Sequence, residues 1–320
     1  MYSSMINQIQ YAHQLLSEGK LVSFPTETVY GLGADATNPS AIQRVFQVKQ
    51  RPTSHPLIVH ISSINKIDLW AKNIPPVAKT LAHFAWPGPL TIVLPKNDNV
   101  SNLITGGQDT IALRIPRHPL ALSLLRKFSG LVGPSANAHC HISPTQAAHV
   151  SQSLGSSVDF ILDGGACEIG IESTIVNCKA DGTVEILRQG MIGARQISQW
   201  IGNTVYSTTL SAEVKVPGNL KKHYSPKTQT YFDSNEVRNK LANKMCAFLC
   251  CHIPENLPKN WTPIIMPSNV DDYAKFLYAK LYQADNLEYD AIVITPTPKN
   301  NQWQAVYEKL NRATSDFIAS

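Results

Sequence analysis

The chain has 320 residues, 43% of them hydrophobic and 16% charged, and a formal net charge of +5. That composition excludes a disordered polyelectrolyte, and no apolar run approaches the roughly 20 residues of a membrane helix. The mild positive balance suits an anionic ligand without demanding nucleic acid. Two domains and a cytoplasmic location, away from membranes, are expected. The first residues, up to Gly19, read as an amphipathic helix rather than a signal peptide. A buried strand, Leu21 to Phe24, follows, then a hydroxyl-rich turn through Pro25, Thr26, Glu27, Thr28, Tyr30, Gly31 and Gly33. Ala41 to Lys49 has helical spacing, with a start at Pro39-Ser40 and a stop at Pro52. Leu57 to Ile61 is a second strand.

Beyond it the chain alternates. Helices are predicted over 75–84, 119–128, 144–153 and 192–201, and strands over 90–94, 110–116, 160–163, 174–177 and 184–187. This interleaving argues for one α/β domain over residues 1–205, a twisted mixed sheet with flanking helices. Residues 206–230 are polar, with the turn signals Pro217-Gly218 and Ser225-Pro226, and read as an ordered linker. Residues 231–320 read as a small doubly wound α/β domain, with strands over 245–251 and 291–295 and helices over 270–284 and 303–313.

The charge pattern of the early segment is unusual. No carboxylate lies between Asp35 and Asp68, yet Arg44, Lys49, Arg51 and Lys66 fall there, with His55 and His60. An ammonium at Lys49 beside a guanidinium at Arg51 suits a polyphosphate, although cations closing a helix also complement its dipole. Neither Lys49 nor Arg51 is expected on the apolar helix face, so replacing them should leave the fold intact. Short polar signatures also recur at strand ends, where open α/β sheets place ligands. They are Thr28, His60, Ser135, Asn137, Ser143, Ser173 and Arg188. Arg114 alternates with Ile111, Leu113 and Ile115, so it either faces water or is an inward charge.

Other chemistries fit poorly. Gly31-Leu32-Gly33-Ala34-Asp35-Ala36 meets only the loosest dinucleotide pattern, and Gly165 to Gly170 lacks the lysine of a P-loop. The six cysteines form no C-x-x-C pair. In His139-Cys140-His141, neighbouring side chains on an extended loop point apart, so a solvated loop rather than a metal site is expected there.

Lys49-Gln50-Arg51 followed by Ser135-Ala136-Asn137 resembles the K-x-R…S-x-N signature of the threonylcarbamoyl-AMP synthases, the YrdC-like proteins. FPTETVYGLG, PLIVHI, WPGPLTIVL, IALRIP and DGG…GIESTIV resemble further blocks of that family, in order, over about Ile9 to Ile201. VPGNLKKHYSPKT is similar to the linker of its longer, two-domain members. The resemblance implies ATP, L-threonine and bicarbonate as substrates, magnesium arriving with the ATP, and no metal held by the protein. The product, threonylcarbamoyl-AMP, would pass to a separate tRNA threonylcarbamoyl transferase complex, with weak direct tRNA binding a further option. It also implies that Arg51, His55, Thr110, Asn137, Ser143 and Arg188 line the nucleotide, with Lys49 near its phosphates. Thr28, His60, Arg114, Ser135 and Ser173 would hold threonine. His55 replaces an expected asparagine, and Gln189 the usual proline. Tyr224, with Lys221, Lys222 and His223 in one short loop, is the expected lid contact to ATP. Two alternatives stand beside this reading: a non-catalytic RNA-binding module, and a carbamoyltransferase of the hydrogenase-maturation type.

Overall fold

The computed structural model describes residues 2–207, 214–218, 220, 222–285 and 288–315. In its N-terminal part lie β1 (Val22–Phe24), β2 (Gly31–Asp35), β3 (Ile58–His60), β4 (Leu90–Pro95) and β5 (Thr110–Arg114). They are followed by β6 (Leu131–Val132), β7 (Phe160–Ile161), β8 (Thr174–Cys178), β9 (Val184–Arg188) and β10 (Tyr206–Ser207). These strands form one mixed sheet in the order β10-β9-β8-β4-β5-β3-β6-β2-β1-β7. The helices of this part are α1 (Tyr2–Ser17), α2 (Pro39–Lys49), α3 (Pro76–Ala85), α4 (Asn102–Thr105), α5 (Pro119–Leu125), α6 (Ala147–Leu154) and α7 (Ala194–Ile201).

β2 corrects the expectation of a turn over Gly31 to Gly33. The segment pairs antiparallel with both β1 and β6. Its glycines are there for clearance, not for bending: a Cβ on Gly33 would meet Val22 O at 2.8 Å and the Phe24 ring at 3.0 Å. Helix α6 also starts later than predicted, at Ala147, because Gln146 before it is extended, with φ −146° and ψ 156°. β10 adds a short strand inside the expected linker, parallel to β9.

The C-terminal part contains β11 (Thr230–Phe232), α8 (Asn235–Lys240), β12 (Cys246–Cys250), β13 (Trp261–Ile265), α9 (Val270–Asp285), β14 (Ala291–Ile294) and α10 (Gln304–Ala313). Its sheet is parallel throughout, in the order β11-β14-β12-β13. Both faces are covered, which is why β12 and β14 are apolar at every position. Cys246, Phe248, Cys250, Ala291 and Val293 pack towards Val237 of α8. Ala247, Leu249, Ile292 and Ile294 pack towards α9 and α10. This second core also takes in Val29, Ile142 and Ile171 of the N-terminal part and Tyr224 of the linker. The two parts therefore share one apolar cluster.

Candidate active site

A cavity opens where the ends of β1, β3, β5, β8 and β9 meet the linker. Thr28, Arg51, His60, Arg114, Ser135, Ser173, Arg188 and Tyr224 line it, together with Glu172 and linker residues Pro217, Gly218 and His223. The structure thus brings eight residues singled out from the sequence to one place. Lys49, Asn137 and Ser143 lie just behind its wall, held by hydrogen bonds to residues around it. His55 stands at the side, its ring 5.3 Å from that of His139. Thr110 opens β5 at the end opposite Arg114 and does not line the cavity.

Arg114 is an inward charge. Its Nη2 donates to Glu27 Oε1 at 2.6 Å, its Nη1 to Thr28 Oγ1 at 2.9 Å and its Nε to Gly88 O at 3.2 Å. Three of a guanidinium's five N–H groups are thereby used, and two remain for a ligand. Burial pushes the Glu27 carboxyl up, but the Arg114 charge, its hydrogen bond and the Arg117 amide outweigh that and hold it below the ordinary glutamate value. Across the cavity Arg188 donates from Nε and Nη2 to Ser173 O, and from Nη1 to Pro217 O in the linker. Arg51 gives one bond, Nη2 to Pro56 O at 2.9 Å, and its buried Nε has no partner among the described residues. Burial pushes its pKa down to about 10, which leaves it charged at neutral pH.

Lys49 departs from expectation. It falls on the buried face of α2 with Ala41, Ile42, Val45 and Phe46, and its ammonium donates to Ser135 O and Asn137 O. Burial, with Arg51 adding to it, holds its pKa well below the ordinary lysine value. The side chain braces the Ser135–Asn137 turn from within the core, so the assumption that it lies off the packed face is wrong. His60 is equally buried, edge-on to Phe24 at 5.8 Å, and its Nδ1 is unpartnered. Burial, then the Arg114 charge, keeps it neutral well below its usual pKa.

Two domains of known families cover the chain. Residues 14–190 match the family model of Sua5, YciO and YrdC, described as "Telomere recombination". Residues 192–315 match the threonylcarbamoyl-AMP synthase C-terminal domain. A threonylcarbamoyl-AMP synthase of Pyrococcus abyssi is 40% identical over 250 residues, covering 75% of this chain and 73% of the relative. The chain belongs to the threonylcarbamoyl-AMP synthase family. The Schizosaccharomyces pombe synthase is 34% identical over 346 aligned positions, 92% of this chain and 85% of its own. A crystal structure of P. abyssi Sua5 complexed with L-threonine superposes with a TM-score of 0.84, at 33% identity, over 96% of this chain and 94% of that one.

Within this synthase fold, sequence reasoning missed two acids and two residues of the C-terminal part. Glu27 is the counter-ion of Arg114. Glu172 accepts from Ser143 Oγ at 2.5 Å and from the Tyr278 hydroxyl of α9 at 2.9 Å. Lys309 of α10 is buried, donates to Gln189 O at 2.8 Å and lies 5.4 Å from the centre of the Tyr224 ring. The signals were faint: a lone Glu inside FPTETVYG, another inside GIESTIV, and nothing that marks Tyr278 or Lys309 apart from other helix residues. The loop after Asn137 was also misjudged. Cys140 has a left-handed backbone, φ 67°, so the loop is folded back, not extended. It brings His139 and Cys140 against His223.

Proposed function

We propose that this chain condenses L-threonine, bicarbonate or carbon dioxide, and ATP into threonylcarbamoyl-AMP and pyrophosphate, for threonylcarbamoyladenosine modification of tRNA. One observation carries the reading: three guanidiniums, Arg51, Arg114 and Arg188, converge on one cavity with a neutral His60 and small hydroxyls. The two free N–H groups of Arg114 receive the threonine carboxylate, and the neutral His60 ring lies in the same lining, beside the amino group. The amine nitrogen bonds to the carbon of carbon dioxide and gives up one proton to solvent, leaving a carbamate. Its oxygen then attacks the α-phosphorus as the bond to pyrophosphate breaks. No protein nucleophile is needed; the work is holding two anions in line and neutralising their charge.

Arg51 and Arg188 supply that neutralisation, with Lys49, Asn137 and Ser143 shaping the wall behind the nucleotide. Magnesium comes with the ATP phosphates. Among the described residues the cavity's own acid, Glu172, is already bonded by Ser143 and Tyr278, so it does not fit a resident magnesium ligand. The product passes to a tRNA threonylcarbamoyl transferase, and any direct tRNA contact is weak. No helix among the described residues is long and apolar enough to cross a membrane, in keeping with cytoplasmic work.

Incubation with ATP, labelled bicarbonate and each amino acid in turn should give threonine-dependent pyrophosphate. Arg114→Lys should then raise the threonine requirement by at least about tenfold, since a point-charge ammonium cannot replace a fork, with little change for ATP. Pyrophosphate release independent of threonine, or an equal effect on both substrates, would overturn the assignment.

Tyr224 acts as the lid contact. It is buried, left-handed at φ 61°, flanked by His223 at 4.1 Å and Tyr278 at 5.9 Å, and its hydroxyl has no partner. Burial, with Glu172 nearby, keeps the phenol protonated. The cavity beneath it has a volume of about 50 Å³, room for a few waters. In this reading linker and tyrosine swing aside for ATP and close again over an adenylate that water would destroy. Lys221, expected in this lid, lies outside the described residues; Lys222 is exposed. Tyr224→Ala should leave the adenylate forming but shorten its lifetime on the protein several-fold, read by the rate of threonine-dependent ATP hydrolysis. An unchanged lifetime would remove the lid role.

A further inference from the structure

We propose that His139, Cys140 and His223 form a site for one soft divalent metal ion of the zinc type, clipping the linker to the loop that follows Asn137. One ligand atom from each of the three lies within 4.8 Å of the others. Two imidazoles and a thiolate are donors that suit zinc, with a fourth position left for water or another side chain. His55 stands next to the cluster, its ring 5.3 Å from that of His139, without belonging to it.

The backbone holds these groups together without an ion. The Asn137 side chain donates from Nδ2 to Ala138 O and His141 O, closing the loop on itself. His139 N donates to Lys49 O at the end of α2, and Ser225 N to Cys140 O across the seam. His223 N donates to Arg312 O of α10. The loop and the linker, the two segments that carry the ligands, are thus held together by α2 and α10, which lowers the ordering cost of binding. His223 is buried, and its Nδ1 has no hydrogen-bond partner among the described residues. A buried imidazole nitrogen left unpaired is uncommon enough to call for an explanation, and a ligand supplies one.

The cations Lys49 and Arg51 stand nearby and act in both directions. With burial as the larger cause, they keep His139 and His223 neutral, the form that binds metal. They also favour the Cys140 thiolate, but burial outweighs them and the thiol's pKa is raised, so metal binding must displace its proton. Against this, they repel a divalent ion, so binding should be weaker than at a structural zinc centre. Lys49 lessens that repulsion by turning its ammonium onto Ser135 O and Asn137 O. An ion here would join His223 of the linker to His139 and Cys140 of the catalytic part. The site itself is independent of the reaction proposed above; the consequence, a lid held shut by metal, rests on it.

Cobalt(II) titration of the metal-free, full-length protein reads the site without any assay of activity. One equivalent should produce tetrahedral visible bands and a near-ultraviolet thiolate-to-cobalt band, and zinc should displace it. Cys140→Ser should remove the thiolate band, whereas Cys251→Ser, at a half-exposed cysteine far along the chain, should keep it. His223→Gln should weaken binding by about tenfold or more, and His139→Gln likewise. Circular dichroism establishes that each variant is folded, and the two histidine variants carry the test should Cys140→Ser misfold. Absence of a thiolate band in the wild type overturns the proposal. So does a band that survives Cys140→Ser, or unchanged affinity in both histidine variants.

Discussion

Glu27→Ala is expected to lower folding stability by about 3–5 kcal/mol, the usual consequence of removing one partner of a buried ion pair. Arg114 and Glu27 are 4% and 2% exposed, and their closest atoms are 2.6 Å apart. Without Glu27 the guanidinium keeps its charge but loses its counter-ion, and the Arg117 amide loses the acceptor it now has in Glu27 Oε2 at 2.9 Å. The effect has a pH signature. Because the Glu27 carboxyl is held below its ordinary value of 4.5, its contribution is fully present above that pH. It fades as pH falls through the lowered folded value, where the carboxyl takes up its proton. Wild type and Glu27→Ala should therefore differ most in urea midpoint at neutral pH and converge below about pH 4.5. Arg114 would also lose its fixed orientation, so the threonine requirement should rise in the same variant. Equal urea midpoints at pH 7 would show that the pair is not formed as described.

The sequence made some of this readable, for identifiable reasons. Strand and helix runs with clean periodicity, such as α2, β4 and β12, lie where the pattern puts them, because burial there follows one face or two. β2 was hidden because Gly31 and Gly33 signal a turn, whereas their role is to let the Phe24 ring lie against the backbone. Family signatures pointed to Arg51, Arg114, Ser173 and Arg188, and these meet in one cavity. What carries them stayed out of sight. Glu27 to Arg114 spans 87 residues, Glu172 to Tyr278 spans 106 and Gln189 to Lys309 spans 120. No local pattern encodes such pairs. Those last two contacts also give the C-terminal part a place in the site, since α9 and α10 brace Glu172 and the segment after Arg188. His139 and His223 likewise lie far apart in sequence, and Cys140 turns the loop through a conformation that composition does not announce.

Lys49→Met should reduce threonine-dependent pyrophosphate release by about 10²–10³, the scale of losing one preorganised charge donor at a reacting centre. One ammonium here has two roles. It stands behind the wall of the cavity, where the proposed reaction puts the nucleotide, and it holds the carbonyls of Ser135 and Asn137, fixing the turn that carries both. Methionine keeps the stem and its packing on the α2 face but leaves two buried carbonyls unpaired, at about 1–3 kcal/mol each. Removing a desolvated ammonium offsets part of that, so the loss of stability should be smaller than for Glu27→Ala. Arg51→Met separates the two roles. Among the described residues Arg51 makes a single bond, to Pro56 O, and its Nε has no partner, so its loss should raise the ATP requirement and spare threonine. Lys49→Met should impair both substrates, because Ser135 and Asn137 move together. Steady-state rates with each substrate varied in turn distinguish the outcomes. Should Lys49→Met raise only the ATP requirement, as Arg51→Met does, the lysine is a phosphate contact alone and its bracing of the turn is not what the rate depends on.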